Sequence, residues 1–390
     1  MQADVVILGA GAAGLLCAVT AARRGFSCIV ADHAPVAGRK VRLAGGGKGN
    51  VTNLRMGPEW YVGQDVSFSR TVLQRCTPDW ILGLLREYEI PWEERDYGQI
   101  FCTVPAARLV EGLVRSAAEA GVSLLLRREL KDVDYVSGLF RIRTSEEILE
   151  SPKLVIALGG PSWPTSGSSD LGMRLARRFG HKIVPVRPVL VPLLFPESWP
   201  LRGLSGISLP AAVSTGGRTF EYPLLFTHKG LSGPAILQTS CFWRNSEPLH
   251  IDFLPRTSAL ELMHMPNNGK VTALNLFRRV LPDRLAERLI PRELTSCKVA
   301  QLGKQARKRI ADALHAHEVV PLRSEGMNKA EAAAGGVDTR DVNPRTLESR
   351  KLPGMYFAGE VLDITGLLGG YNLHWAWASG KAVGEAFRKR

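Results

Sequence analysis

Residues 5–32 read VVILGAGAAGLLCAVTAARRGFSCIVAD, a unit that leaves few choices of fold. Val5 to Leu8 is an apolar run long enough for a buried parallel strand and too short for a helix. Gly9, Gly11 and Gly14 follow. A turn that runs tightly from strand into helix, with its backbone against a pyrophosphate, needs residues without Cβ, and Gly14 lets the helix pack close to the sheet. Ala12 and Ala13 open that helix, whose first N–H groups are free to meet phosphate. Gly25 closes it where a left-handed cap is wanted. A second apolar run, 27–31, ends on Asp32, with His33 beside it. Asp32 lies 18 residues after Gly14, where such units place an acid for the ribose hydroxyls. Strand, glycines, helix, strand and acid in this order predict a dinucleotide site in a parallel α/β sheet. The motif does not choose between NAD and FAD.

A chain of 390 residues can bury a large core and divides naturally into two or three domains. The first strand starts so early that no leader is expected, and no apolar run is long enough to span a bilayer. Cys17, Cys28, Cys76, Cys102, Cys241 and Cys297 show no CxxC or paired spacing, so no metal site and no disulfide framework is expected. The cytoplasm is the expected compartment. A formal charge of +13 favours a polyanionic partner such as nucleic acid. Residues 256–323 hold 13 Lys and Arg against 6 Asp and Glu, about half of the excess. The alternative is a solvated basic surface without a partner.

Further along, Gly45, Gly46 and Gly47 precede Lys48, Gly49, Asn50, Thr52 and Asn53, a sequence read as a loop whose backbone approaches a ligand. Arg39, Lys40 and Lys48 make that ligand anionic. Residues 77–89 carry a Thr cap, a Pro in the first turn and helical spacing, 90–103 read as extended, and 106–120 as an amphipathic helix. Strand-like runs at 122–127 and 139–143 fit a small antiparallel crossover within the first half of the sheet. The run 154–160 reads as a central strand ending in glycines, Gly159 among them. Short β segments with prolines over 185–255 suggest a small barrel or sandwich. Residues 257–317 are helical and basic. The last fifty residues repeat the opening theme: a strand, Gly359 and Glu360, Asp363, a glycine loop at Gly366, Gly369 and Gly370, and a helix that Asn372 can cap. In doubly wound sheets the carboxyl ends of strands hold the ligand, so both units address the same one. The domains expected are 1–187 with 335–390 (Rossmann), 188–255 with 318–334 (barrel) and 256–317 (helices).

The blocks GAGAAG (Gly9 to Gly14), GRK (Gly38 to Lys40), GGGKGNVTN (Gly45 to Asn53), LFTHKGLSGPAILQ (Leu225 to Gln238), AGGVDT (Ala334 to Thr339) and YFAGEVLDITGLLGGYNLHWAWASG (Tyr356 to Gly380) resemble the BaiN-like, or YhiN-like, flavoproteins, also known as the aminoacetone oxidase family. The resemblance spans nearly the whole chain. It implies FAD on a glutathione-reductase-like Rossmann domain with an inserted barrel and helical subdomain. By the same resemblance Gly9, Gly11 and Gly14 hold the pyrophosphate, Asp32 the adenosine ribose, Glu360 the ribityl chain and Gly370, Tyr371 and Asn372 the flavin's pyrimidine edge, with Arg39, Lys40, Gly46 and Asn50 completing the pocket. Many members have Arg-Cys-Asn where this chain has Lys48-Gly49-Asn50, so any role of that cysteine is absent here.

The family's activities imply three substrates: carbon–carbon double bonds of bile acids reduced with NAD(P)H, aminoacetone oxidised as an amine, and uridine of 23S ribosomal RNA reduced to dihydrouridine. The basic insertion favours the last. A small-molecule flavoenzyme is the alternative, and a flavin-bearing RNA-binding protein without turnover a third. Cys102 is a proton-donor candidate, although a Cys in an apolar strand is more often packing. His228, in a Gly-rich turn, is a site candidate or a turn cap. Tyr371 and His374 open the last helix beside the glycine loop and are candidates for contact with the flavin, His374 otherwise for packing. Lys304, Arg307, Lys308 and Arg309 form a patch for RNA phosphates. With only one full GxGxxG, NAD(P)H would act as a transient reductant, or an unrelated reductant would reduce the flavin.

Overall fold

The computed structural model describes residues 1–389, which divide into two compact units, 1–187 with 332 onward, and 188–331. In the first unit five parallel strands lie in the order Met355–Phe357, Leu154–Ile156, Val5–Leu8, Cys28–Ala31, Ser123–Leu125. Every residue of Val5–Leu8 and Cys28–Ala31 is buried, as continuous apolar runs require when both faces of a parallel sheet are covered. Chain order reverses between Val5–Leu8 and Leu154–Ile156, which opens a crevice at the carboxyl ends of those strands.

Two helices pack together beside this sheet. Ala12–Ala22 starts at Gly11 and ends before Gly25, whose φ is +82°. Tyr371–Ala386 lies against it so closely that a Cβ on Gly380 would overlap the Ala13 carbonyl, and one on Gly384 would sit 2.7 Å from the Cys17 carbonyl oxygen. The Gly-x-x-x-Gly spacing puts both glycines on one helix face, and that face is where the backbones meet. Pro78–Glu87 is capped as its sequence indicates, the Thr77 hydroxyl accepting the Trp80 N–H.

Three features differ from the sequence reading. Ser123–Leu125 is the edge strand of the parallel sheet, and the antiparallel crossover is the meander Leu130–Val136, Leu139–Thr144, Ile148–Ser151. The stretch read as loop contains a short helix, Arg39–Leu43, and a strand, Asn50–Asn53. That strand pairs with Gln99–Cys102, which in turn pairs with Trp92–Arg95. The last helix is not capped by Asn372: its N-cap is Gly370, and Asn372 lies inside the first turn.

The second unit is built on one seven-stranded antiparallel sheet, ordered His317–Val319, Leu249–Asp252, Ser208–Thr215, Arg218–Phe226, Gly230–Ser232, Leu193–Leu194, Arg323–Ser324. Its two outermost strands are consecutive in sequence, joined by Val320, Pro321 and Leu322. Four residue steps reach about 14 Å at most, whereas six strand spacings in a flat sheet take about 29 Å. The sheet therefore curls toward closure. The helices between Asp252 and His317 are no separate body, because Leu276, Leu285 and Ile310 share one buried cluster with Leu209, Phe226 and Ile251 of the strands. Among the described residues no helix is long and apolar enough to cross a membrane.

Candidate dinucleotide site

The three glycines of the first turn have three different surroundings. A Cβ on Gly9, where φ is +108°, would overlap the Ala157 carbonyl oxygen of the neighbouring strand's extension. One on Gly14 would overlap the Gly9 carbonyl oxygen and stand 3.3 Å from Ile7. A Cβ on Gly11 meets nothing within 4 Å. Gly9 and Gly14 are thus demanded by packing, while Gly11 faces open space at the N-terminus of the first helix. Asp32 closes the turn from the second strand: Oδ2 accepts the Ala10 N–H at 2.7 Å and Oδ1 the Ala34 N–H at 2.8 Å. The carboxylate keeps further acceptor capacity, since each oxygen has two lone pairs. His33 stands 3.4 Å from Asp32 Oδ1, and the Gly38 N–H donates to the Ala10 carbonyl at 2.8 Å.

Across the crevice Glu360 is held by three partners. Lys40 Nζ lies 2.6 Å from Oε2, the Ser162 hydroxyl donates to Oε1 at 2.8 Å, and the Ala333 N–H donates to Oε1 at 3.0 Å. Lys40 also donates to Ser162 at 2.7 Å, which closes a triangle. Burial alone would raise the pKa of Glu360, but Lys40, Ser162 and the Ala333 N–H outweigh it and hold the carboxyl below its ordinary value. Glu360 is a fixed anion over a wide pH range. Gly359, at φ +79°, brings this acid over Ala13 of the first helix, 3.2 Å from an added Cβ. Arg39 reaches the Thr165 carbonyl at 3.4 Å, and an added Cβ on Gly167 would lie 2.8 Å from its guanidinium and 2.7 Å from the His33 ring. Gly159, at φ +73°, has nothing within 4 Å of its Cβ position. Ser162 escaped the sequence reading, although a small polar residue just past the glycine end of a central strand was its signal.

The loop from Gly45 to Gly49 and the turn at Gly369 and Gly370 meet through the strand Asn50–Asn53. Gly45, Gly46, Gly47 and Gly49 all have φ between +58° and +84°. Gly46 has open space where a Cβ would be. Asn53 Nδ2 donates to the Gly369 carbonyl at 2.9 Å. Asn50 Nδ2 donates to Gln99 at 2.9 Å, while its Oδ1 is buried without a hydrogen-bond partner among the described residues, 2.7 Å from the Cβ position of Gly370. The Asn372 amide clamps Gly366, accepting its N–H and donating to its carbonyl at 2.8 Å each. Tyr371 is buried and stacks on Trp60 with centroids 5.2 Å apart. Asp363 accepts the Gln64 N–H at 2.9 Å, and burial pushes its pKa up to about 6.

Of the two alternatives for His374, its surroundings favour packing. It is fully buried, its Nε2–H donates to the Cys76 carbonyl at 2.8 Å, and its Nδ1 accepts the Thr52 hydroxyl at 2.6 Å. Burial pulls its pKa down to about 4, so the ring is neutral with both nitrogens committed. Cys102 lies on the middle strand of the small sheet, its sulfur 3.5 Å from the Cβ position of Gly49. Burial pushes its thiol up to about 11 and keeps it protonated. His228 is exposed at a hairpin turn of the second unit that Thr227 holds by accepting the Lys229 and Gly230 N–H groups. The basic quartet is also reduced. Arg307 braces the Leu302 and Val299 carbonyls and Arg309 pairs with Glu293, which leaves Lys304 and Lys308 exposed on Lys304–His315.

The open space at Gly11, Gly46 and Gly159 and the orphaned Asn50 oxygen fit a bound dinucleotide. With the switch-point crevice and the returning strand, Glu360 and helix, they define a dinucleotide-binding protein of the doubly wound class. The family model of the HI0933-like protein Rossmann domain matches residues 3–386, and the chain belongs to that family of FAD-dependent oxidoreductases. A ribosomal RNA dihydrouridine synthase of Haemophilus influenzae is 38% identical, with 97% of this chain and 96% of that protein covered. One of Escherichia coli is 36% identical over 98% and 97%, and a 3-dehydro-bile acid delta(4,6)-reductase of Clostridium scindens is 29% identical over 98% of each. In fold the chain is similar to the Escherichia coli quinol fumarate reductase flavoprotein, with a TM-score of 0.53, 17% identity, and 99% of this chain and 69% of that one covered. It is similar also to a 3-ketosteroid dehydrogenase of Rhodococcus jostii, with a TM-score of 0.50, 14% identity, and 99% and 96% covered.

Proposed function

We propose that the protein reduces the C5=C6 double bond of uridine in ribosomal RNA, with the large-subunit RNA as substrate, to give dihydrouridine. The observation that carries this reading is similarity to two ribosomal RNA dihydrouridine synthases over nearly the full length of both chains. The reaction adds one hydride and one proton to the base. FAD, reduced by a transient NAD(P)H, supplies the hydride chemistry when bound.

The chain's own residues then have defined tasks. Gly9, Gly11, Ala12, Ala13 and Gly14 present the helix N-terminus to the pyrophosphate, and Asp32 takes the adenosine ribose with His33 beside it. Gly38, Arg39 and Lys40 line the approach. Glu360, kept anionic by Lys40 and Ser162, accepts from ribityl hydroxyls. Gly45, Gly46, Gly47 and Asn50 face the flavin with Gly159, Gly359, Gly369, Gly370, Tyr371 and Asn372, while Thr52 is buried behind them with its hydroxyl on His374, and Asp363 anchors the loop at Gln64. The proton has to come from a group still protonated at neutral pH, a condition that the Cys102 thiol meets.

A small-molecule enone reductase is the second reading, favoured by the full-length similarity to the bile acid reductase. Mass spectrometry of ribosomal RNA from cells with and without the gene separates the two. Loss of a uridine bearing two extra hydrogens on deletion, restored by the wild-type gene, is the expected result. Unchanged RNA would move the small-molecule reading ahead.

A further inference from the structure

Between Asp32 and Glu59 the chain has no Asp or Glu, but it has Arg39, Lys40, Arg42, Lys48 and Arg55. The structure separates these five cations by occupation. Lys40 is neutralised by Glu360, Arg39 reaches the Thr165 carbonyl, and Arg42 Nε donates to the Ala37 carbonyl at 3.2 Å. Lys48 and Arg55 are exposed, and among the described residues neither side chain has an ion pair or hydrogen bond.

These two stand at either end of the strand Asn50–Asn53, whose Asn50 and Asn53 touch the Gly369–Gly370 turn. Arg55 is fixed at its backbone, its N–H donating to Asn53 Oδ1 at 2.8 Å. The turn against which Arg55 packs, Asp96–Gly98, presents Tyr97 with 41% of its surface exposed and φ +63°. Of the acids on that hairpin, Glu93 is taken by Arg95, while Glu94 and Asp96 are exposed and mark the limit of the positive run. Unpartnered cations spaced along one strand are the groups that a nucleic-acid backbone engages, each neutralising a phosphate. The seven residue steps from Lys48 to Arg55 reach about 24 Å at most, a span that a few nucleotides cover.

We propose that Lys48 and Arg55 hold the RNA phosphates that flank the reacting uridine. The substrate would then be gripped by the FAD unit itself, at the strand that reaches the Gly369–Gly370 turn. This rests on the ribosomal RNA reading. The test uses the FAD-loaded enzyme and unmodified ribosomal RNA transcribed in vitro, with filter binding across a salt series. Each lost phosphate contact on a single strand lowers the slope of log K against log salt by about 0.7, so Lys48→Gln/Arg55→Gln should lower it by about 1.4. Affinity at low salt should fall about tenfold or more, and flavin absorbance per chain should match the wild type. Lys48→Arg/Arg55→Lys should restore the slope. A wild-type slope in the Gln pair, or a loss of flavin with the slope unchanged, overturns the proposal while leaving the function standing. Failure of the wild-type enzyme to bind the RNA at all overturns the function and this inference with it.

Discussion

The imidazole of His374 can keep its present bonds only without a second proton, because Nδ1 accepts from Thr52 while Nε2–H donates to Cys76. Burial holds its pKa near about 4, and the unfolded chain takes up a proton near the ordinary 6.5. Between those values the unfolded state binds more protons than the native one, so stability rises with pH through the window and falls on acidification. From pH 7 to pH 5 the cost attributable to this group is about 2 kcal/mol. His374→Gln should therefore show a decline smaller by about that amount in denaturant unfolding at the two pH values. An identical decline in both proteins would refute the packing assignment. The sequence placed His374 correctly at the head of the last helix, but its choice between flavin and core depended on Thr52 and Cys76, some 300 residues away. Glu360 was legible as a residue type at a strand end; the Lys40 and Ser162 that fix its charge were not recognisable as partners, because tertiary contact alone unites them.

At the scale of elements, the first turn separates two roles that GxGxxG writes with one letter. Gly14→Ala would drive a Cβ into the Gly9 carbonyl, and overpacking of this kind costs about 1–3 kcal/mol. Gly11 has φ −84° and open space around its Cβ position, so Gly11→Ala should change the stability of the flavin-free protein by no more than about 0.5 kcal/mol. The same methyl group would stand where the pyrophosphate approaches. Flavin-free Tm and flavin per chain distinguish the two: Gly14→Ala lowers both, Gly11→Ala only the second. A Gly11→Ala protein with full flavin would remove that residue from the cofactor site. The strand, helix and strand around this turn were readable because apolar runs of the right length report burial directly. Arg39–Leu43 and Asn50–Asn53 were not. Five residues are too few to show a helical period, and Asn-Val-Thr-Asn offers no apolar alternation, since its order comes from pairing with Gln99–Cys102. The inserted helices looked like a body of their own for a related reason: their apolar faces are visible locally, but the strands they cover are not.

Over the whole molecule the net charge of +13 acts at a distance, while a contact acts only at touching range. Many of the basic residues are spent within the protein: Arg178 and Arg143 on Asp132 and Asp134, Arg278 on Glu287, Arg256 on Glu221, Arg309 on Glu293. The charge count read from the sequence was right, but which cations stay available depends on these pairs. Reversing all four of Lys304, Arg307, Lys308 and Arg309 would therefore also strip the bracing of Arg307 and the Arg309 ion pair. Lys304→Glu/Lys308→Glu isolates the field, taking the net charge from +13 to +9 while both altered side chains lie in solvent. A steering field governs encounter more than residence. Stopped-flow binding to ribosomal RNA should then show association slowed several-fold at about 0.05 M salt, with dissociation unchanged. The difference should fade as the screening length shrinks below about 10 Å above 0.1 M salt. Lys48→Gln/Arg55→Gln should do the opposite and chiefly hasten dissociation. Faster dissociation in the Lys304 and Lys308 variant would instead make that helix a direct contact, and its RNA footprint would then extend across the second unit.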